Sequence, residues 1–217
     1  MNSIKGAVIM SIYKLPLGIR VPELDEYPNG YDVHEINKAR NFSNIIEGYK
    51  LNEVHNELFT HYAEVNIDAD TVWNLFVSLS NKLLGHTAYG IIGFKDEKPI
   101  LSDFAYKQSI IDIFKEYKFE LTNDGYIQFG MAYYDEATMD EIFITSFKYL
   151  QVWTSNKNLL VEALEEFDLL EQEKLNFTDE FPVVSEALST DTIEGVRHYS
   201  EVISGIEEEF AILEQSH

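Results

Sequence analysis

The stretch Asp68-Ala-Asp-Thr-Val-Trp-Asn-Leu-Phe-Val-Ser-Leu-Ser-Asn-Lys-Leu-Leu-Gly85, followed closely by Ala88-Tyr-Gly-Ile-Ile-Gly-Phe94, decides the fold class. Val72, Leu75, Phe76, Leu79, Leu83 and Leu84 recur at three- and four-residue spacings, which places them on one helical face. Asp68–Thr71 supplies N-cap chemistry, with Asp70 the expected cap, because a short carboxylate there accepts hydrogen bonds from otherwise unsatisfied first-turn amides. Gly85 is the expected stop, since it tolerates a left-handed backbone. Ala88–Phe94 then has the composition of a strand.

Working outward, Leu58–Val65 is rich in aromatic and β-branched residues and reads as a preceding strand. The turn Lys95–Pro99 returns the chain into a short strand, Ile100–Asp103, closing a hairpin. Ile110, Ile111, Phe114 and Tyr117 mark a second helix beginning near Tyr106. Asn123-Asp-Gly125 is a turn, and Tyr126–Tyr134 another strand. This order, β-α-β-β-α-β, is that of a ferredoxin-like split unit.

Glu141–Phe147 and Tyr149–Thr154 extend the sheet, and Asn156 precedes a helix through Leu159, Leu160, Ala163, Leu164 and Phe167. A last helix is expected over Thr192–Leu213, although Gly195 and Gly205 each cost it about 1 kcal/mol relative to Ala. The expected class is α+β: a mixed or antiparallel sheet packed with helices, with extra strands and a C-terminal helical segment.

The chain reads as a single domain, 1–217, in three parts. Residues 1–57 form an irregular lead-in punctuated by Pro16, Gly18, Pro22, Pro28 and Gly30, with a strand near Val8–Tyr13 and a short helix near Val33–Ile46. Residues 58–170 form the α+β core, and 171–217 an acidic extension. Met10 is an alternative start to Met1.

Charge is the strongest functional signal. The 38 Asp and Glu outnumber 16 Lys and Arg, a formal net charge of −22. Between Leu160 and His217 sixteen acids face two bases, Lys174 and Arg197, a net of −14. Such a field repels nucleic acid and anionic membrane and attracts cationic partners. Nucleic-acid binding also needs clustered cations, and the three arginines, Arg20, Arg40 and Arg197, are scattered. With 14 Phe, 13 Tyr and 2 Trp, the acids decorate a folded body rather than a disordered tail.

Motif chemistry is sparse. The chain has no cysteine, which excludes disulfides, thiolate metal sites and a Cys nucleophile and fits a cytoplasmic location. No run of apolar residues is long enough to span a membrane. His55 and His61 share a strand face but stand roughly 20 Å apart, too far for one metal ion. Asp68 and Asp70 do not open a calcium loop, because Val72 and Trp73 occupy the ligand and glycine positions. Gly90 and Gly93 fit no phosphate loop, and Ser102 and Ser155 lack a base. No metal, cofactor or catalytic residue is assigned. A hydrolase using one of the many carboxylate pairs is the alternative to a binding protein.

The acids that stand out are Glu162, Glu165, Glu166 and Asp168 beside one helix, Glu171 and Glu173 in the following loop, and Glu207, Glu208 and Glu209 on the last helix. They serve either as a solubilising coat or as a docking face for a basic protein. Tyr133, Tyr134 and Trp153 would supply anchors where exposed, but Trp153 lies in a strand pattern and is expected in the core.

Thr87–Phe94 and Lys148–Thr154, set in a small, acidic, cysteine-free α+β chain, resemble bacterial toxin-immunity proteins of the polymorphic-toxin or contact-dependent inhibition type. The resemblance implies a cytoplasmic inhibitor that binds a cognate basic toxin domain, such as a nuclease, and it carries no site residue over. An adaptor for another basic protein is the further alternative.

Overall fold

A computed structural model describes residues 13–214. The strand expected near Val8–Tyr13 and the alternative start at Met10 lie outside the described residues, apart from Tyr13 itself, which is not in a strand. The elements run β1 (Ile19–Arg20), α1 (Val33–Phe42), β2 (Gly48–Glu53), β3 (His61–Asn66), α2 (Val72–Leu83), β4 (Thr87–Phe94), β5 (Ile100–Leu101), β6 (Ala105–Tyr106), α3 (Lys107–Glu116), α4 (Lys118–Asn123), β7 (Ile127–Tyr134), β8 (Met139–Ile144), β9 (Leu150–Thr154), α5 (Lys157–Glu165), a 3-10 turn (Thr178–Glu180), β10 (Val184–Ser185) and α6 (Tyr199–Glu214).

The protein is α+β. Its main sheet has the order β2-β3-β9-β8-β7-β4-β5, with β6 beside the start of β4, and every pairing is antiparallel. The expected elements occur in the expected order, but their pairing differs from a ferredoxin-like unit. There β5 would lie between β3 and β4; here it caps the outer side of β4. The space between is filled by the meander β7-β8-β9, whose longer strands offer far more backbone pairing than the two-residue β5.

Strand periodicity sorts the side chains into two sets. Ala63, Val65, Ala88, Ile92, Phe129, Met131, Ile142, Ile144, Leu150 and Val152 all point to one face and are buried there. Helices α2, α3, α5 and α6 pack on that face and share a single core with it. Phe76 of α2 is its hub, with ring centroids 5.1 Å from Phe129 and 6.2 Å from Phe114.

Several local expectations change. Residues 48–53, read as lead-in, form the edge strand β2, because Tyr49 joins the core while Lys50 and Asn52 alternate outward. The acidic extension is not peripheral either: Val202, Ile206 and Phe210 of α6 belong to the main core. Gly90 makes that possible, since a Cβ there would lie 2.5 Å from Phe210 Cζ and 2.9 Å from Ile110 Cγ2. The last helix starts at Tyr199 rather than Thr192, after Gly195 turns the chain at φ 78°. Asp70 is not the N-cap of α2. Thr71 holds that position without a side-chain bond, and Asp70 pairs with Lys14 at 2.7 Å. Helix α2 stops before Gly85 as expected, but the left-handed conformation is not used there.

The three arginines clamp the C-terminal quarter to the body. Arg20 reaches Glu186 at 3.1 Å, and buried Arg40 donates to the Pro182 carbonyl at 2.6 Å. Arg197 donates to the Glu116 carbonyl at 3.0 Å and lies over the Tyr117 ring. A backbone crossing adds a fourth tie. Gly18 donates to Asn123 O, Gly125 donates to Glu186 O, and Glu186 donates to Gly18 O at 2.8–3.0 Å. A Cβ on Gly125 would collide with Gly18 O and sit 2.9 Å from Glu186 N, both backbone atoms that cannot rotate away. Gly125→Ala therefore lowers stability by about 1–3 kcal/mol, read as a reduced urea midpoint.

Lys148, in the β8–β9 turn at φ 63°, is 2% exposed and donates its ammonium to the Ile127 carbonyl. Burial pushes its pKa down to about 7, with Asp124 acting in the opposite sense. An unfolded chain holds that proton to about pH 10.4. Between those values the unfolded state binds more protons, so stability rises with pH. The urea midpoint should climb from about pH 7 to about pH 9.5, by at most about 1.4 kcal/mol per pH unit from this group, and the climb should flatten in Lys148→Met.

Candidate functional site

The helices described above cover one sheet face; the opposite, open face carries no helix among the described residues, and its central side chains are half-buried to buried. An exposed antiparallel face normally alternates to polar side chains. This one does not. Outward positions in register across the sheet are Asn52, Tyr62, Trp153, Glu141, Ala132 and Tyr89 in one row, and Lys50, Glu64, Gln151, Phe143, Gly130 and Ile91 in the next. Tyr62 and Trp153 pack at 5.1 Å between centroids, and Tyr89 stacks on Tyr134 at 4.5 Å. Leu101 is 50% exposed, Tyr134 43% and Phe104 40%, so the apolar patch meets solvent.

Trp153 is thus on the open face and half-buried, not in the core. Trp153 does lie in a strand, but strand membership does not say which face is covered. Tyr134 is exposed as an anchor would be, while Tyr133 is turned partly into the core.

One corner of the open face is covered by the loop after α5. Leu175 and Phe177 pack on Tyr149 as a small second core, and Phe177 donates its amide to Glu180 Oε1 at 2.7 Å. A cavity of about 620 Å³ lies there, lined by Glu64, Glu173, Asp179 and Glu180 together with Lys50, Lys174 and Tyr149. Burial raises the pKa of Asp179, whose Oδ2 accepts from the Tyr149 hydroxyl at 3.3 Å, and raises that of Tyr149. A second cavity, about 320 Å³, sits mid-sheet between Ile91, Leu101, Phe143 and Trp153, with Glu141 and Gln151 on its wall. Glu64 of the first cavity and Gln151 of the second are direct cross-strand neighbours.

No family model, curated protein or solved structure matches this chain.

The acids singled out from the sequence do not form one patch. Glu162 and Glu166 meet at Lys82, at 2.6 and 3.0 Å, on the helical side where α5 packs against α2. Glu165 is exposed on the same helix, and Asp168 ends it in a left-handed conformation at φ 57°. Glu171 bridges alongside Tyr49 at the β2 edge. Glu207 and Glu208 are exposed on α6, whereas Glu209 accepts from the Tyr117 hydroxyl at 3.1 Å. Of the nine, Glu173 alone lines the acidic cavity. Among the described residues, no group of three His, Asp or Glu is placed to hold a metal ion, and no helix is long and apolar enough to cross a membrane.

Glu141 was missed. Burial among its neighbours raises its pKa, and no hydrogen bond or ion pair engages its carboxylate among the described residues. The available signal was apolar character at both parities of β4, β7 and β9, which is wrong for a solvated sheet face.

Two measurements check this surface. Acrylamide should quench Trp153 but not Trp73, which is 7% exposed, so Trp153→Phe removes most of the quenchable fluorescence. A carboxyl with a raised folded pKa adds stability below its unfolded pKa and loses it as pH rises. Glu141→Gln should therefore leave the urea midpoint unchanged below about pH 4 and raise it at pH 7.

Proposed function

We propose that the protein works by stoichiometric binding in the cytoplasm: the open sheet face and its acid-lined cavity take up a basic protein and block that protein's active surface, as an immunity protein blocks a toxin. The observation that carries this reading is the pair of cavities. Four carboxylates line the first, aromatic and aliphatic side chains form most of the second, and Glu64 of the first is the cross-strand neighbour of Gln151 of the second. Protein partners are gripped by central aromatic anchors and selected by complementary charge, and both are present here. A cationic nuclease domain fits this chemistry, because its substrate-binding cleft must be positive to hold phosphates.

The chain's Lys and Arg support the reading from the other side. Lys82, Lys95 and Lys107 make internal contacts, as do the three arginines, and in the cavity itself four carboxylates stand against Lys50 and Lys174.

The test is the 1:1 complex with the cognate basic protein, scored by binding and by loss of that protein's activity. The triple variant Glu173→Lys, Asp179→Lys, Glu180→Lys should weaken it by at least about a hundredfold. Glu165→Lys with Glu207→Lys and Glu208→Lys, on the helical side, should weaken it by less than about fivefold. Raising salt from about 0.05 M to about 0.5 M should reduce the association rate steeply. Equal effects from both variants would leave only a diffuse acidic coat, and no inhibition of the bound protein would end the inhibitor reading.

A further inference from the structure

The mid-sheet cavity has a composition that the acidic corner lacks. Its walls are apolar, from Ile91, Leu101, Phe143 and Trp153, yet a carboxylate, Glu141, is set into them. Glu141 and Trp153 are direct cross-strand partners on β8 and β9, so carboxylate and indole stand side by side on one face. Tyr62 packs against the far side of Trp153, and the Gln151 amide donates to the Tyr62 hydroxyl at 2.9 Å, which holds the indole's neighbour in place. Lys98 is exposed and also lines the cavity, and among the described residues no ion pair joins it to Glu141.

A half-buried carboxylate with no ion pair or hydrogen bond among the described residues costs stability, since nothing there offsets desolvation of the charge. The cost is removed when a cation enters. We infer that this cavity receives one arginine side chain of the partner protein, its guanidinium forked on Glu141 and lying against Trp153, with apolar side chains flanking that arginine packed on Leu101 and Phe143. This deepens the proposed function and rests on its claim that the open face binds a basic protein.

Arginine fits better than lysine. Its planar guanidinium makes two parallel hydrogen bonds to a carboxylate and stacks on an aromatic ring at the same time, whereas an ammonium is a compact, strongly hydrated charge. Trp is the strongest cation-π ring among the side chains. A cavity of about 320 Å³ also suits a single long side chain. The net charge of −22 supplies the long-range attraction, and this cavity the local selection.

The test uses the full chain, isotope-labelled, with the Trp153 indole N–H followed by NMR. The probes are acetyl-Leu-Arg-Leu-amide, the same peptide with Gln in place of Arg, and ethylguanidinium alone. The arginine peptide should shift the Trp153 signal saturably, and the glutamine peptide should bind at least about tenfold more weakly. Glu141→Gln, which should fold at least as stably at pH 7, should weaken the arginine peptide by about tenfold or more. A control, Glu208→Gln on α6, should change nothing.

Equal binding of the two peptides, or indifference to Glu141→Gln, overturns the assignment. Ethylguanidinium binding as tightly as the peptide would also overturn it, marking a small-cation site instead. The two readings fail separately. A cognate complex that tolerates Glu141→Gln but not reversal of Glu173, Asp179 and Glu180 removes the arginine pocket alone. An arginine peptide that binds while no basic protein is inhibited removes the inhibitor alone.

Discussion

The large buried aliphatic and aromatic side chains at the centre of the main sheet point mostly to the face on which the helices sit, and the other features follow from that uneven burial. A two-layer arrangement of this kind closes one core around Phe76, Phe114 and Phe129. It leaves the second face to be completed by something else. Part of it is completed by the chain itself, where Leu175 and Phe177 settle on Tyr149. The rest carries Tyr89, Trp153, Phe143 and Leu101, residues with no reason to face water in a protein whose sheet serves only as scaffold.

Much of the fold was legible because helix and strand periods are local. The face of α2 can be read from Val72 to Leu83, and the strands from Thr87 to Thr154 fall close to where aromatic and β-branched residues cluster. Pairing is not local. Nothing in Ile100-Leu101 says on which side of β4 it will lie, and β9 pairs with β3 across nearly a hundred residues. The edge strand β2 was obscured by the prolines and glycines around it, although Tyr49 and Leu51 carry its inward pattern.

The candidate site was less legible, for a related reason. A run of acids is visible as composition, but composition does not say which acids share a surface. Glu162 and Glu166 turn out to be partners of Lys82, while Glu64, remote in sequence, joins Glu173 and Asp179. Glu141 draws no attention in a chain with 38 acids. It becomes distinctive only when the sheet sets it beside Trp153, in a setting that raises its pKa.

The arginine clamps have a consequence for how copies of the protein treat one another. A sheet with one helix-free aromatic face is a ready template for stacking between identical molecules. With its three arginines engaged by Glu186, the Pro182 carbonyl and the Glu116 carbonyl and a net charge of −22, each copy carries a strongly negative exterior. Mutual repulsion then keeps two open faces from meeting, while a positive surface approaches unopposed. That charge acts as a colloidal guard, and it weakens wherever counter-ions or protons neutralise it.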